Sequence, residues 1–146
     1  MSKQLEEALR DSFCKYKYEN GMDWITATKE VPVFARSVDL VELNNKTSEL
    51  TAIEFKIKDW KRALNQLNSV VSCFDYLVLC VPLPKTQKCM NRIENACNEF
   101  GVGLYYWDAE NSIFLQACTE KKNSGIWELQ KRHIINYIRG EDTKDE

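Results

Sequence analysis

Two acids and a lysine are the most chemically suggestive residues of this sequence: Asp39, Glu54 and Lys56. Glu54 and Lys56 lie two positions apart in the segment 50–57, whose branched and aromatic residues favour a β-strand. Side chains two positions apart in a strand share a face and are about 6–7 Å apart. This pair is either a surface ion pair on a half-exposed sheet or part of a metal site that cuts phosphodiesters.

Asp39 favours the metal site over the surface ion pair. Residues 38–43 predict a second strand and residues 44–48 have turn composition, so a hairpin is expected. If paired residue numbers sum to 93, Asp39 lies opposite Glu54, and directly opposed carboxylates about 4.5–5.5 Å apart repel. Mg²⁺ or Mn²⁺ between them would offset that repulsion. Lys56 would then orient or activate a water that attacks a phosphodiester.

The register of this hairpin decides whether the site can exist, because a slip of one residue moves every side chain to the opposite face. An odd sum places Asp39 on the face of Glu54 and Lys56. The other face then holds an apolar set, which we expect to be buried under helices. That set consists of Val38, Leu40, Ile53, Phe55 and Ile57.

Hydrophobic periodicity and turn residues predict the remaining elements. Helices are expected at 2–17, 60–71, 85–100 and 127–139, and strands at 24–34, 38–43, 51–57, 75–81, 102–107 and 113–118. Asp59 is expected to cap the second helix. Pro32 places the first strand at a sheet edge. The fold class predicted is α/β, with a mixed central sheet flanked by helices and a parallel pairing of strands 51–57 and 75–81.

The composition fits one domain, expected over residues 1–140, with a frayed tail at 141–146. The chain has 146 residues, of which 44% are hydrophobic, and a net charge of −2. That charge argues against a protein that holds nucleic acid by its overall charge, but it leaves room for a local basic patch. No apolar run is long enough for a membrane span, and the amphipathic N-terminus does not resemble a secretory signal. A cytoplasmic protein without membrane partners is expected.

The six cysteines do not indicate a zinc site. None forms a C-x-x-C pair, and His133 is the only histidine. We expect free thiols, several of them buried.

The segments VDLVEL, AIEFKIKDWKRALNQ and DYLVLCVP together resemble the core of the PD-(D/E)XK nuclease superfamily. The resemblance covers a little over half of the chain. It implies a restriction-endonuclease-like αβββαβ core and metal-dependent hydrolysis of DNA phosphodiester bonds, with Mg²⁺ or Mn²⁺ as cofactor. DNA repair, recombination and restriction are the settings that the superfamily implies.

The resemblance also implies residue roles. Asp39 and Glu54 match the two metal-binding acids, Lys56 matches the lysine, and Gln66 matches a glutamine that some branches carry on the next helix. Some branches also use a glutamate from the first helix. Glu6 is the candidate for this extra acid, because it borders the apolar face of that helix. Val38 departs from the proline that gives the superfamily its name.

Three cationic residues around the start of the second helix form a candidate nucleic-acid contact: Lys58, Lys61 and Arg62. Cations at a helix start oppose the helix dipole, which favours a functional role over a merely solvated helix end. Such residues would contact phosphates. Trp60 beside them either stacks on a base or anchors the start of the helix in the core.

Two functions of different class follow from the sequence. The first is a metal-dependent nuclease acting on DNA. The second is a catalytically inactive nucleic-acid-binding or adaptor subunit with the same fold, which the small size and acidic pI favour. The aromatic run at 104–107 exceeds what one strand face buries, so a homodimer or another partner surface is also expected.

Overall fold

The computed structural model describes residues 2–140, which form one six-stranded sheet, four α-helices and one 3₁₀ turn. The α-helices are α1 (Ser2–Tyr18), α2 (Trp60–Asn68), α3 (Gln87–Phe100) and α4 (Glu128–Arg139). The strands are β1 (Ile25–Val33), β2 (Arg36–Asn44), β3 (Glu49–Phe55), β4 (Tyr76–Pro82), β5 (Gly103–Asp108) and β6 (Ile113–Cys118). The 3₁₀ turn is Val71–Cys73. The tail expected at 141–146 lies outside the described residues.

The sheet is mixed, and its strands follow chain order from β1 to β6. The β1–β2, β2–β3 and β5–β6 pairs are antiparallel, whereas β3–β4 and β4–β5 are parallel. This confirms the predicted α/β class, the element order and the parallel β3–β4 pair. Pro32 lies in edge strand β1, as its missing N–H requires.

Two apolar layers cover the two faces of the sheet. The first layer packs α2, α3 and α4 against residues such as Val41, Leu50 and Leu79. The second layer packs α1 through Leu9 and Phe13. The Phe13 ring meets the rings of Phe55, Tyr105 and Phe114 edge-on at 5.4–5.5 Å between centroids. Burial of each large side chain contributes about 1.5–3 kcal/mol, so both layers fix the sheet firmly.

The β2–β3 hairpin has the predicted register. Leu40 pairs with Ile53 and Leu43 with Leu50, so the paired numbers sum to 93. The second layer contains Leu40, Ile53 and Phe55, with Ile57 packed against it. Val38 was wrongly placed with them: it packs in the first layer with Val31, its partner on β1, because the left-handed Glu30 (φ 54°) interrupts the regular alternation of the strand pair.

Among the element boundaries that differ from the prediction, two bear on the site. β3 ends at Phe55, so Lys56 lies just beyond the strand, although its N–H still donates to the Cys80 carbonyl at 3.0 Å. The chain must leave the sheet here because Asp59 caps α2 in a left-handed conformation, with its carboxylate accepting from the Arg62 N–H. α2 ends at Asn68, earlier than predicted.

The aromatic run on β5 is covered within the chain. Leu104 and Tyr106 face the first layer, while Tyr105 and Trp107 pack against the second. The run was expected to exceed one strand face, but β5 is an inner strand with both faces covered. It therefore gives no support to a dimer. No helix among residues 2–140 has the length and apolar character needed to cross a membrane.

Candidate metal-binding cleft

A cleft of about 560 Å³ opens where β3 ends, and all five residues predicted for the catalytic site line it. The first turns of α1, the β1–β2 hairpin and α2 form its other walls. The five residues are Glu6, Asp39, Glu54, Lys56 and Gln66. The tertiary structure thus brings together positions from α1, β2, β3 and α2 that are up to 60 residues apart in sequence.

The Asp39 and Glu54 carboxylates each accept a main-chain hydrogen bond where the β2–β3 ladder stops. The Asp39 N–H donates to Glu54 Oε2 at 3.2 Å, and the Phe55 N–H donates to Asp39 Oδ2 at 2.9 Å. Each carboxylate therefore replaces a carbonyl acceptor that the neighbouring strand no longer supplies. This arrangement fixes both side chains and aims both acids into the cleft.

The two carboxyl groups also perturb each other. Burial, followed by the negative charge of Asp39, raises the pKa of Glu54 to about 8. Burial also raises the pKa of Asp39, against the lowering effect of the Phe55 N–H. The two carboxyl groups are close enough that each shifts the pKa of the other. Without a cation, the pair therefore retains a proton that an exposed acid would lose.

Neither acid of this pair has an ion-pair partner among residues 2–140. The side chain of Glu54 is nonetheless buried, with only 7% of the residue exposed. Buried charges are normally paired or bound to a metal, because desolvation is costly. Glu54 departs from this rule, because it is buried and has no ion-pair partner in the described residues.

Lys56 and Glu6 form a second pair on the opposite side of the same cleft. The Lys56 ammonium lies 3.7 Å from Glu6 Oε2, which also accepts from the Ile57 N–H at 3.3 Å. Both side chains are mostly buried, with 23% and 18% exposed. Glu6 thus ties α1 to the end of β3 and pairs with the lysine, whereas its role as an extra acid stays a prediction.

Gln66 reaches the cleft from the middle of α2 and is partly exposed. Its helix is held in place by Ala63, Leu64 and Leu67, which are buried in the first layer. The Gln66 amide offers two N–H donors and one acceptor oxygen, so it can bind a phosphate or a water.

The predicted nucleic-acid contacts lie outside this cleft. Lys58, Lys61 and Arg62 are exposed around the start of α2. Trp60 is partly buried against the first layer and lines a smaller pocket of about 190 Å³ with Lys58. Its packing favours the core-anchor alternative, although its outer face stays open to the Lys61 ammonium, 5.7 Å from the ring.

The sequence motif did not include three further cations that line the cleft beside Lys56. Arg10, Lys3 and Arg36 line it with Glu30, and Arg10 donates to Glu30 at 2.7 Å. Arg36 is close enough to lower the pKa of Glu54 by its charge. None of these residues belongs to a local motif. A search for polar residues at the first-helix apolar border could have found Arg10, as it found Glu6.

The donor set suits a hard divalent cation with few protein ligands. No group of three or more His, Cys, Asp and Glu residues in the described part of the chain has a metal-binding arrangement. Asp39 and Glu54 would therefore be the two protein carboxylates of a site completed by water and phosphate, which is how Mg²⁺ is often bound. Their burial without a counter-charge fits that role.

Comparison with known proteins informs the fold alone. No family model matches the chain. No curated protein matches it. The chain is similar to the solved structure of a protein of unknown function from Silicibacter pomeroyi, at 17% sequence identity with a TM-score of 0.57. The similarity covers 80% of this chain and 73% of that protein, so the mixed α/β architecture recurs there.

Proposed function

We propose that the protein is a metal-dependent nuclease that hydrolyses DNA phosphodiester bonds, with a restriction-endonuclease-like αβββαβ core. The observed order from α1 to β4 and the resemblance to PD-(D/E)XK nucleases support the core. The cofactor would be Mg²⁺ or Mn²⁺, held by Asp39 and Glu54.

One observation carries this proposal: a buried carboxylate, Glu54, beside a partly buried one, Asp39, with no ion-pair partner in the described residues and in a cleft that also holds a lysine. A purely structural acid pair would be destabilising, because its members repel and are both desolvated. A site that binds a cation and a phosphate explains why the arrangement is tolerated.

The chemistry divides between the metal and this chain's side chains. When bound, the metal would lower the pKa of a water and neutralise charge on the phosphoryl oxygens. Lys56, held by Glu6, would orient the attacking water or stabilise the developing negative charge. Gln66 would donate a hydrogen bond to the phosphate. Lys58, Lys61 and Arg62 would bind phosphates outside the cleft.

A second candidate is an inactive nucleic-acid-binding or adaptor subunit with the same fold. The Lys56–Glu6 ion pair favours it, since the ammonium that would act on a substrate is already engaged by a carboxylate. In that case the cleft would bind a cation and a phosphate without cleaving the ester.

The test is a cleavage assay with linear, nicked, branched and single-stranded DNA, in Mn²⁺ or in EDTA. We expect cleavage only with metal. Asp39→Asn and Glu54→Gln should each reduce it about a thousandfold, since a metal supplies several kcal/mol of transition-state stabilisation. Glu42→Gln is the matched control, because Glu42 is equally buried but lies outside the cleft.

Two results would change the assignment. Metal-dependent cleavage that persists in Asp39→Asn would remove this cleft from the mechanism. Metal-dependent binding of DNA without cleavage of any substrate would favour the adaptor subunit.

A further inference from the structure

The tip of the β1–β2 hairpin borders the cleft and carries an unusual residue. Val33 pairs with Arg36, which leaves Phe34 and Ala35 as a two-residue turn. Phe34 has a φ of 56°, a left-handed conformation that glycine adopts without strain and a bulky residue does not. Its ring is nevertheless half-exposed, at 53%. The turn therefore presents an aromatic ring to solvent at a conformational cost.

Trp127 supports this ring from the other side. The Phe34 and Trp127 rings are stacked, with centroids 6.2 Å apart and planes 26° apart. The Trp127 N–H donates to the Ser72 carbonyl at 2.7 Å, which fixes the residue just before α4 begins. Trp127 is itself 51% exposed. Two large rings are thus held together, and each keeps about half of its surface in water.

Arg36 lies two residues from Phe34 and supplies charge complementarity for a phosphate. It lines the cleft, and its charge reaches Glu54. No carboxylate among residues 2–140 lies within ion-pair distance of its guanidinium. Two residues of chain span at most about 7 Å, so the backbones of Phe34 and Arg36 are close together, and the aromatic turn is next to a cationic residue of the cleft.

We propose that the hairpin tip binds one nucleotide of a single-stranded nucleic acid, with its base on the Phe34–Trp127 pair and its phosphate on Arg36. This deepens, and rests on, the proposed nucleic-acid function of the cleft. An unpaired base is required, because a base inside a duplex has both faces covered by its neighbours. Aromatic stacking tolerates any base sequence, so the site selects single-stranded structure.

The test measures binding in EDTA, where metal-dependent cleavage cannot occur, by anisotropy of three labelled probes. The probes are an oligothymidylate, an abasic oligonucleotide of the same length and the corresponding duplex. Phe34→Leu and Trp127→Ala should weaken oligothymidylate binding about five- to a hundredfold and leave abasic binding unchanged. Trp127→Phe should restore most of the affinity. Arg36→Ala should weaken the oligothymidylate and abasic probes equally.

Two matched controls test whether the effects are local. Trp24→Ala removes an exposed tryptophan at the other end of β1, and Arg92→Ala removes an exposed arginine on α3. Neither should change binding. In Phe34→Leu and Trp127→Ala, equal losses of affinity for the oligothymidylate and abasic probes would overturn the proposal, and so would no loss for either probe. So would wild-type protein that binds the abasic or duplex probe as tightly as the oligothymidylate.

The outcome is distinguishable from that of the nuclease proposal. The expected binding pattern in a protein that cleaves no substrate would retain the nucleotide site and reject the nuclease. Cleavage of single-stranded DNA that depends on Asp39 but is unaffected by Phe34→Leu and Trp127→Ala would retain the nuclease and reject the nucleotide site.

Discussion

Three buried carboxylates lie in very different surroundings, although Glu42, Glu54 and Asp75 are only 6%, 7% and 3% exposed. Glu42 lies 2.7 Å from the Lys17 ammonium and accepts a hydrogen bond from Tyr18. Asp75 lies 2.9 Å from the Lys131 ammonium and accepts from the Leu50 N–H at 2.8 Å. Glu54 has a main-chain donor but no cation within ion-pair distance in the described residues, and a second acid stands beside it.

The difference separates acids that the chain itself pairs with a cation from acids that have no such partner in the described residues. Glu42 joins the end of α1 to β2, and Asp75 joins α4 to the sheet. Both have their counter-charges supplied by the chain itself. Glu54 and Asp39 face a cleft and have no counter-charge from the described residues. A bound cation would supply that counter-charge.

The largest effect expected from this comparison is on stability. Asp75→Asn should lower the free energy of unfolding by about 3 kcal/mol or more, because it leaves a mostly buried Lys131 unpaired. Glu54→Gln should cost less than about 1 kcal/mol or stabilise the metal-free protein, since it removes a repulsion. Urea unfolding of both variants in EDTA checks this. Equal losses would mean that Glu54 is as structural as Asp75.

A smaller effect is expected from metal. Mn²⁺ at a hundred times its dissociation constant should raise the free energy of unfolding by about 2.7 kcal/mol and the melting temperature by several degrees. The Asp39→Asn, Glu54→Gln double variant should lose this shift, whereas Glu42→Gln should keep it. A wild-type melting curve unmoved by millimolar Mn²⁺ would contradict a preformed site.

The smallest effect is the pH dependence of the metal-free protein. The pKa of Glu54 is raised from 4.5 to about 8, so its contribution to stability is complete below pH 4.5 and is lost as the pH rises through 8. Between pH 6 and pH 7 we expect a loss of about 1 kcal/mol that Glu54→Gln abolishes. Urea unfolding across this range measures it. The same slope in both proteins would show that Glu54 titrates normally.

Local sequence was sufficient for the element order and the hairpin register. The apolar set of Leu40, Ile53 and Phe55 requires one parity of pairing, and the turn at 44–48 selects the sum of 93. The same parity places Asp39 and Glu54 together. Lys56 follows from its spacing after Glu54 in the strand pattern. Gln66 and Glu6 are implied by the resemblance to PD-(D/E)XK nucleases, with Glu6 chosen for its position at the apolar border of α1.

Only the tertiary structure decided what surrounds those acids. The end of the β2–β3 ladder at Leu40, the burial of Glu54 and the pairing of Lys56 with Glu6 depend on how α1 packs across the sheet. The Phe34 and Trp127 rings meet although Trp127 is about 90 residues away in sequence. No local pattern encodes such contacts, because side-chain periodicity specifies a face of an element but not the neighbour that packs against it.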